Sequence, residues 1–437
     1  MRKKSVLTFD LTIIIATLAL VIIGILFIYS SGITSAGIIY SKEYIRQIIW
    51  AGSGLVLMFL FAFIDYTRFK VYSPFIYAFF ILLLIITLLF GTVVNGARSW
   101  LGILDFGIQP SEFMKIASIL LLSAYYSNVG KRVDSILQFI IGAGIILIPV
   151  VLILLQPDMG TALVYVPIFL IVSFIAGVKI RYIFFILISG FVAVFLATFP
   201  FIPGFLYPNR ELFFLELIAE RRFLLYSMLV LGVIAFTAFL GSKIFKKNYF
   251  YWIYYTTSSL FLGTIGAVGA RLILQDHQIM RLIIFLNPEV DPQGAGWNII
   301  QSMTAVGSGG FTGKGFLQGT QSHYQYLPQQ STDFIFSIIA EEWGFLGVLF
   351  VFVIMMFILI RAVLIILRTG DKFGIYVGSG IIGMLFFHFV INIGMAVGIM
   401  PITGIPLFFL SYGGSSLWTG MIGIGIILSI HRKKETL

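Results

Sequence analysis

The residues best suited to chemistry are acids placed where a polar stretch runs into an apolar one. In YLPQQSTDFIFSIIAEEWGFLGVLFVFVIMMF, residues 326–357, Asp333 closes the polar run, and Glu341 and Glu342 follow about two helical turns later. A carboxylate at such a boundary is partly desolvated, which suits it to take a proton from a hydroxyl nucleophile. The same position suits a cap for the helix that follows.

A charged side chain at the centre of a membrane helix costs roughly 2.5–3.5 kcal/mol, so ionisable residues near apolar stretches are informative. Arg98, Glu112, Lys115, Asp158, Arg281 and Lys314 fall on the same side of the apolar segments as the three acids. Glu112 and Lys115 are three apart and can pair on one helix face. Pro110 in QPSEFMK marks a helix entrance, which leaves the pair either structural or within reach of a polar headgroup near the interface. Asp158 in QPDMGTAL fits a helix N-cap or a site carboxylate. Of Glu341 and Glu342, at least one has to face the interior and hydrogen-bond between helices.

The four histidines, His277, His323, His388 and His431, have no metal-ligand spacing, and His388, inside an apolar segment, reads as a satisfied buried group. The absence of cysteine excludes disulfides, thiolate metal sites and a cysteine nucleophile. GSGGFTGKG, residues 307–315, has Ser308 where a nucleotide phosphate loop needs glycine and Gly315 where it needs Ser or Thr. Its glycines read as turns that bring the backbone close to the membrane or a ligand, or as a flexible loop.

These residues must be positioned by membrane helices. The chain is 59% hydrophobic and 11% charged, with a mean hydropathy of +1.05, far outside the range of a water-soluble domain. Apolar windows long enough to cross a bilayer lie near 10–30, 47–65, 72–92, 112–128, 136–155, 161–178, 182–200, 223–242, 249–270, 334–360, 374–398 and 415–431. The expected fold is therefore an all-α polytopic membrane protein of about twelve spans, the first an uncleaved anchor.

Basic clusters at Arg2–Lys4, Arg68 and Lys70, Lys131 and Arg132, Lys179 and Arg181, Lys243 with Lys246 and Lys247, Arg361 with Arg368 and Lys372, and Arg432–Lys434 occupy alternate loops and both tails. By the positive-inside bias these are cytoplasmic, and the net charge of +10 reports topology instead of nucleic-acid binding. The inside loops hold no nucleotide-binding domain. The outward loops are 93–111, the stretch from 156, and 271–333, the last rich in Gly and aromatic residues and the expected place of function.

In order along the chain, NGARSWLGI, QPSEFMKIA, QPDMGTAL, DPQGAGWNIIQS, AVGSGGFTGKG, GTQ, LPQQSTDFIFSIIAEEWGFLG and NIGMAVGIMPITGIPLFFLSYGGSS resemble the SEDS family of cell-wall glycosyltransferases, whose branches include FtsW, RodA and SpoVE. GKG followed by GTQ, and TGIPL before SYGGSS, resemble the RodA branch more closely. The resemblance implies polymerisation of lipid II into peptidoglycan during cell elongation and rod-shape maintenance, with Asp333 as the essential base. It places Arg98, Trp100, Glu112, Lys115, Asp158, Arg281, Lys314 and Gln321 as candidate substrate contacts, the cations for the diphosphate. It leaves room for a divalent cation, Mg²⁺ or Mn²⁺, and implies a class B penicillin-binding protein as partner.

The family pattern departs at Gln329 and Ser331, where Glu and His are common, and at Phe408, where a proline is usual. It also implies ten spans, so the extra pair reads as a hairpin inserted at 182–248, between a core of 1–181 and another of 249–437 that carries the catalytic loop 271–333. NRELFFLELIAERR, residues 209–222, would lie outside as an interfacial helix or partner contact. A flippase or transporter for the same lipid, an FtsW-like division polymerase, and a scaffold for other wall enzymes are the competing readings.

Overall fold

Each of the twelve apolar windows falls on a helix of at least 18 residues in the computed structural model, which describes residues 9–94, 96–103, 106–199, 221–273, 280–281, 284–285 and 287–436. In chain order the helices are α1 (Leu11–Ser31), α2 (Glu43–Phe63), α3 (Tyr66–Phe90), α4 (Pro110–Val129), α5 (Ile136–Leu155), α6 (Met159–Ala176), α7 (Ile180–Thr198), α8 (Arg221–Ile244), α9 (Asn248–Ile273), α10 (Ala295–Ser308), α11 (Thr320–His323), α12 (Ile335–Leu367), α13 (Lys372–Ala396) and α14 (Gly414–Thr436). Among the described residues ten are long and apolar enough to cross a membrane. The expectation of twelve is corrected at α4 and α9. The first dilutes its apolar residues with Ser, Tyr and the Glu112–Lys115 pair, the second with Tyr, Thr and Ser.

Aspartates start several of the helices. Asp10, Asp65, Asp158 and Asp371 accept hydrogen bonds from first-turn N–H groups of α1, α3, α6 and α13, which otherwise lack partners. Most of 209–222 lies outside the described residues, as does His277.

The all-α expectation is also amended in the outward loop 93–111, where three short strands, β1 (Thr92–Val94), β2 (Ala97–Ile103) and β3 (Phe106–Ile108), pair antiparallel in that order. Val94 pairs with Ala97 across the Asn-Gly dipeptide, with Gly96 at φ +84°, the conformation a two-residue hairpin turn demands.

The chain forms two units, 179–297 and the remainder. In the smaller, α7 and α8 both pack on α9. The Tyr255 hydroxyl donates to Arg181 O at 2.6 Å and Arg271 Nη2 donates to Leu196 O at 2.7 Å, so α9 runs alongside α7 in the same direction. This unit begins three residues before the expected insertion and ends well past 248.

In the larger unit α14 is the hub, with 89% of its apolar window buried, packed chiefly on α2. By contrast α3 buries 17% of its window and turns Tyr72, Phe75, Phe79 and Leu82 outward, as a lipid-facing helix does. Ion pairs mark one end of this unit. Arg361 Nε meets Asp10 Oδ2 at 2.7 Å, Lys433 Nζ meets Asp65 Oδ2 at 2.9 Å, and Arg432 Nη2 donates to Phe63 O at 2.6 Å. The start of α1, the α2–α3 turn, the end of α12 and the tail of α14 thus converge, all of them carrying or adjoining basic clusters.

Candidate active site

Between α13 and α14 the backbone leaves helical geometry from Val397 to Gly413, yet Ile405, Leu407, Phe408, Phe409 and Leu410 are buried. Irregular backbone at membrane depth has to satisfy its carbonyls within the protein. Helix α13 supplies the donors: Asn392 Nδ2 donates to Ile405 O at 2.8 Å, and His388 Nδ1 lies 3.0 Å from Pro406 O. Asn392 Nδ2 also donates to Asp333 O at 2.9 Å.

Asp333 is half-buried at the end of a turn-rich run, one residue before Phe334, which takes the cap position of α12. Its Oδ2 would stand 3.6 Å from a Cβ at Gly404, so the carboxylate faces that glycine. One residue earlier on the same backbone, a Cβ at Gly160 would lie 2.0 Å from Thr403 O, so only glycine lets α6 approach this closely. Asp158 begins that helix, accepting from Thr161 N at 3.0 Å and, at Oδ2, from Gln109 Nε2 at 2.9 Å. Asp333 thus faces Gly404 while α6, which Asp158 caps, packs on Thr403 through Gly160, and the buried Thr403 Oγ1 has no hydrogen-bond partner among the described residues.

Glu112 and Lys115 pair at 2.7 Å in the first turns of α4, both buried against neighbouring helices, with Lys115 fully so. Lys115 Nζ continues to His388 Nε2 at 3.0 Å, and Glu112 Oε2 is buried without a partner among the described residues. His388 is thus satisfied at both nitrogens.

Arg98 is exposed on β2. Its N–H holds Gln156 O at 3.1 Å, and its side chain lines a depression of about 290 Å³ with Leu88, Val93, Leu155 and Pro157. The Trp100 ring covers Gly107. Arg281 is a half-buried residue of the smaller unit.

Lys314 is committed to Glu341. Its Nζ lies 2.7 Å from Oε1, which also accepts from Thr320 N at 2.8 Å and Gln321 N at 3.0 Å. The Gln321 side-chain oxygen is buried without a partner among the described residues. The glycine loop lies against a break in α12 at Gly344, where φ is +64°. The carbonyls of Glu341 and Glu342 accept from Lys314 N at 3.0 Å and Gly315 N at 2.9 Å, while Phe345 N and Leu346 N donate to Gly310 O and Phe311 O at 3.0 and 3.1 Å. The close approach foreseen for these glycines is thus to another backbone.

Glu342, also buried, accepts from Ser30 Oγ and from Leu317 N at 3.1 Å, and His323 Nε2 stands 3.4 Å from its Oε1. The Glu342 carboxylate beside His323 lifts the imidazole above its ordinary value, against the opposing effect of burial. Among the described residues no three His, Asp or Glu side chains group as metal ligands.

Asn392 and Gln109 were missed by sequence reasoning. An asparagine inside an apolar helix, four residues from a histidine, was the available signal.

The family model described as "Cell cycle protein", that of FtsW, RodA and SpoVE, matches residues 10–220 and 224–436. The chain is 49% identical to the peptidoglycan glycosyltransferase RodA of Treponema pallidum over 442 residues, covering 99% of this chain and 100% of that protein. A chain of the structure described as "Structural coordination of polymerization and crosslinking by a peptidoglycan synthase complex" is similar with a TM-score of 0.66 at 25% identity, over 98% of this chain and 99% of that one. Thermus thermophilus rod shape determining protein RodA shares the fold with a TM-score of 0.60 at 24% identity, over 98% of each chain. With its apolar helices, this full-length relationship makes the chain a multi-pass membrane protein that belongs to the FtsW/RodA/SpoVE family.

Proposed function

We propose that the chain is a peptidoglycan glycosyltransferase that polymerises lipid II, in the elongation role, with Asp333 as the general base. The observation that carries this is its 49% identity, over full length, to a RodA glycosyltransferase. The half-buried Asp333 at the mouth of α12 supplies the base.

In this reaction Asp333 takes the proton from the acceptor sugar's 4-hydroxyl as its oxygen attacks the donor's anomeric carbon. The bond from that carbon to the diphosphate breaks with inversion, and the polyprenyl diphosphate leaves. It is a good leaving group, so no second carboxylic acid has to protonate it, unlike the paired acids of a glycoside hydrolase. Positive charge is needed instead, and the exposed Arg98 is the proposed source, Lys115 being fully buried and spent on Glu112 and His388. Asp158, held by Gln109, caps the helix that packs on the segment Asp333 faces. Lys314, already matched by Glu341, holds the loop that carries Gln321, and Trp100 stiffens the sheet beneath Arg98. A divalent cation would have to be held mainly by the diphosphate oxygens, since no three His, Asp or Glu side chains gather among the described residues, and would neutralise the leaving group.

Sidedness supports the reading. We read the ion-paired end beside the basic clusters as the cytoplasmic one, with both termini inside and Asp333 outside, a reading that the positive-inside bias supports. An apolar groove of about 690 Å³ lined by Phe69, Phe75, Phe79, Phe80 and Phe113 offers room for a lipid tail. A class B penicillin-binding protein is the proposed partner, in keeping with the likeness to a chain from a peptidoglycan synthase complex.

A lipid II transporter is the second reading, favoured by the buried Glu112–Lys115–His388 group. The deciding experiment is polymerisation of labelled lipid II by the purified protein with its transpeptidase, resolved as a glycan ladder. The wild type should give a ladder that Asp333→Asn abolishes. If neither polymerises but both move lipid II across liposomes, the transporter reading replaces the enzyme.

A further inference from the structure

His388 and Asn392 are four residues apart on α13 and share one face of it. Each bonds the carbonyl of one of two consecutive residues in the buried non-helical segment, Pro406 at 3.0 Å and Ile405 at 2.8 Å. The contacts continue both ways. Toward the bundle core, His388 Nε2 meets Lys115 Nζ at 3.0 Å, and Lys115 meets Glu112 at 2.7 Å. Toward the site, Asn392 Nδ2 reaches Asp333 O at 2.9 Å.

The chemistry of this ladder is determined. A lysine ammonium only donates, so Nε2 of His388 accepts from it, and the ring proton sits on Nδ1, donating to Pro406 O. Asn392 spends its amide N–H groups on the two carbonyls, and its Oδ1 is buried without a partner among the described residues. Both side chains are fully or almost fully buried, so their bonds exchange with nothing outside.

We propose that Asn392 and His388 are positioning residues for Asp333. Asn392 fixes the Asp333 backbone against the segment whose Gly404 faces the carboxylate, and His388 fixes that segment to the Lys115–Glu112 pair. The inference rests on Asp333 as the base. A displacement of the order of 1 Å in a reacting group is enough to cost about 100-fold in rate.

The test has two arms, both on the full chain in nanodiscs. In the first, with the transpeptidase present, Asn392→Ala should lower kcat for lipid II polymerisation by roughly 10- to 100-fold while KM moves less than twofold. His388→Gln keeps an N–H for Pro406 and an acceptor for Lys115, and should retain several-fold more activity than His388→Leu. If Asn392→Ala is not recovered folded, Asn392→Ser is read in the same way.

The second arm needs no activity. The chain has no cysteine, so Asp333→Cys supplies its only thiol, and the rate of alkylation by a hydrophilic maleimide reports where that side chain sits. Adding Asn392→Ala or His388→Leu should change that rate at least threefold, while a thiol at the exposed Gln325, placed by Gln325→Cys, is unaffected. An unchanged rate overturns the proposal, as does a rise in KM at constant kcat, which would make Asn392 a substrate contact. Equal activity of His388→Gln and His388→Leu removes His388 from it. Should Asp333→Asn still polymerise, the base assignment fails on its own, and the alkylation arm still reads the positioning of residue 333.

Discussion

Lys314 and Glu341 meet at 2.7 Å beside the break in α12, with the carboxylate fully buried and the lysine side chain 27% exposed. Breaking a buried pair leaves a stranded charge, and the partial exposure of the lysine moderates the cost to about 1–3 kcal/mol. Lys314→Gln is expected to lower the melting temperature by several degrees while KM for lipid II moves less than twofold. A raised KM at an unchanged melting temperature would assign the ammonium to the substrate diphosphate.

Two glycines of the GSGGFTGKG run should behave oppositely. A Cβ at Gly313 would stand 2.1 Å from Glu342 O, at φ +82°, whereas one at Gly307, in the last turn of α10, meets nothing within 4 Å. Gly313→Ala is expected to cost at least about 2 kcal/mol, and Gly307→Ala to gain about 0.5–1 kcal/mol from helix propensity. Thermal unfolding of the two variants side by side reads the contrast, and equal shifts would refute the backbone packing described.

His323 predicts a pH dependence. Its folded-state value is raised by Glu342, so its contribution is complete below the ordinary imidazole value of 6.5 and is lost as pH rises through the raised one. The difference in melting temperature between wild type and His323→Asn should shrink as pH climbs above 6.5. A difference that stays flat across that window would remove the ion pair from the account.

At the opposite end, two carboxylates of similar role should differ in weight. Burial pushes the Asp10 carboxyl up, but the Thr12 hydroxyl and Arg361 outweigh it and hold the group below its ordinary value, so its stabilisation is present at neutral pH and lost as pH falls. The Asp10 side chain is 1% exposed, against 39% for Asp65. Asp10→Asn is expected to cost about 1–3 kcal/mol and Asp65→Asn less than about 0.5 kcal/mol, read by thermal melting at pH 7.

Local pattern and long-range pairing divide what could be read. Helix positions, the Asp158 cap and the Glu112–Lys115 pair follow from hydropathy and from neighbours three or four residues apart, and all were legible. The β1–β2 hairpin was legible too, through Asn-Gly between alternating residues, but was passed over in a chain dominated by helices. The partners of Lys314, His388 and Asn392 lie 27, 273 and 59 residues away, at Glu341, Lys115 and Asp333, and no local spacing encodes them. The burial of Glu112 and Lys115 was not legible for the same reason, since His388 of α13 and Phe408 lie far along the chain from them.

The four backbone bonds between residues 310–315 and the broken turn of α12 also bear on how that loop can move. Swinging that loop aside would break all four bonds at once, which ties its position to that of the helix. It is a fixed sill, as rigid as the helix it is stitched to. Its position along α12 is set by where that helix breaks.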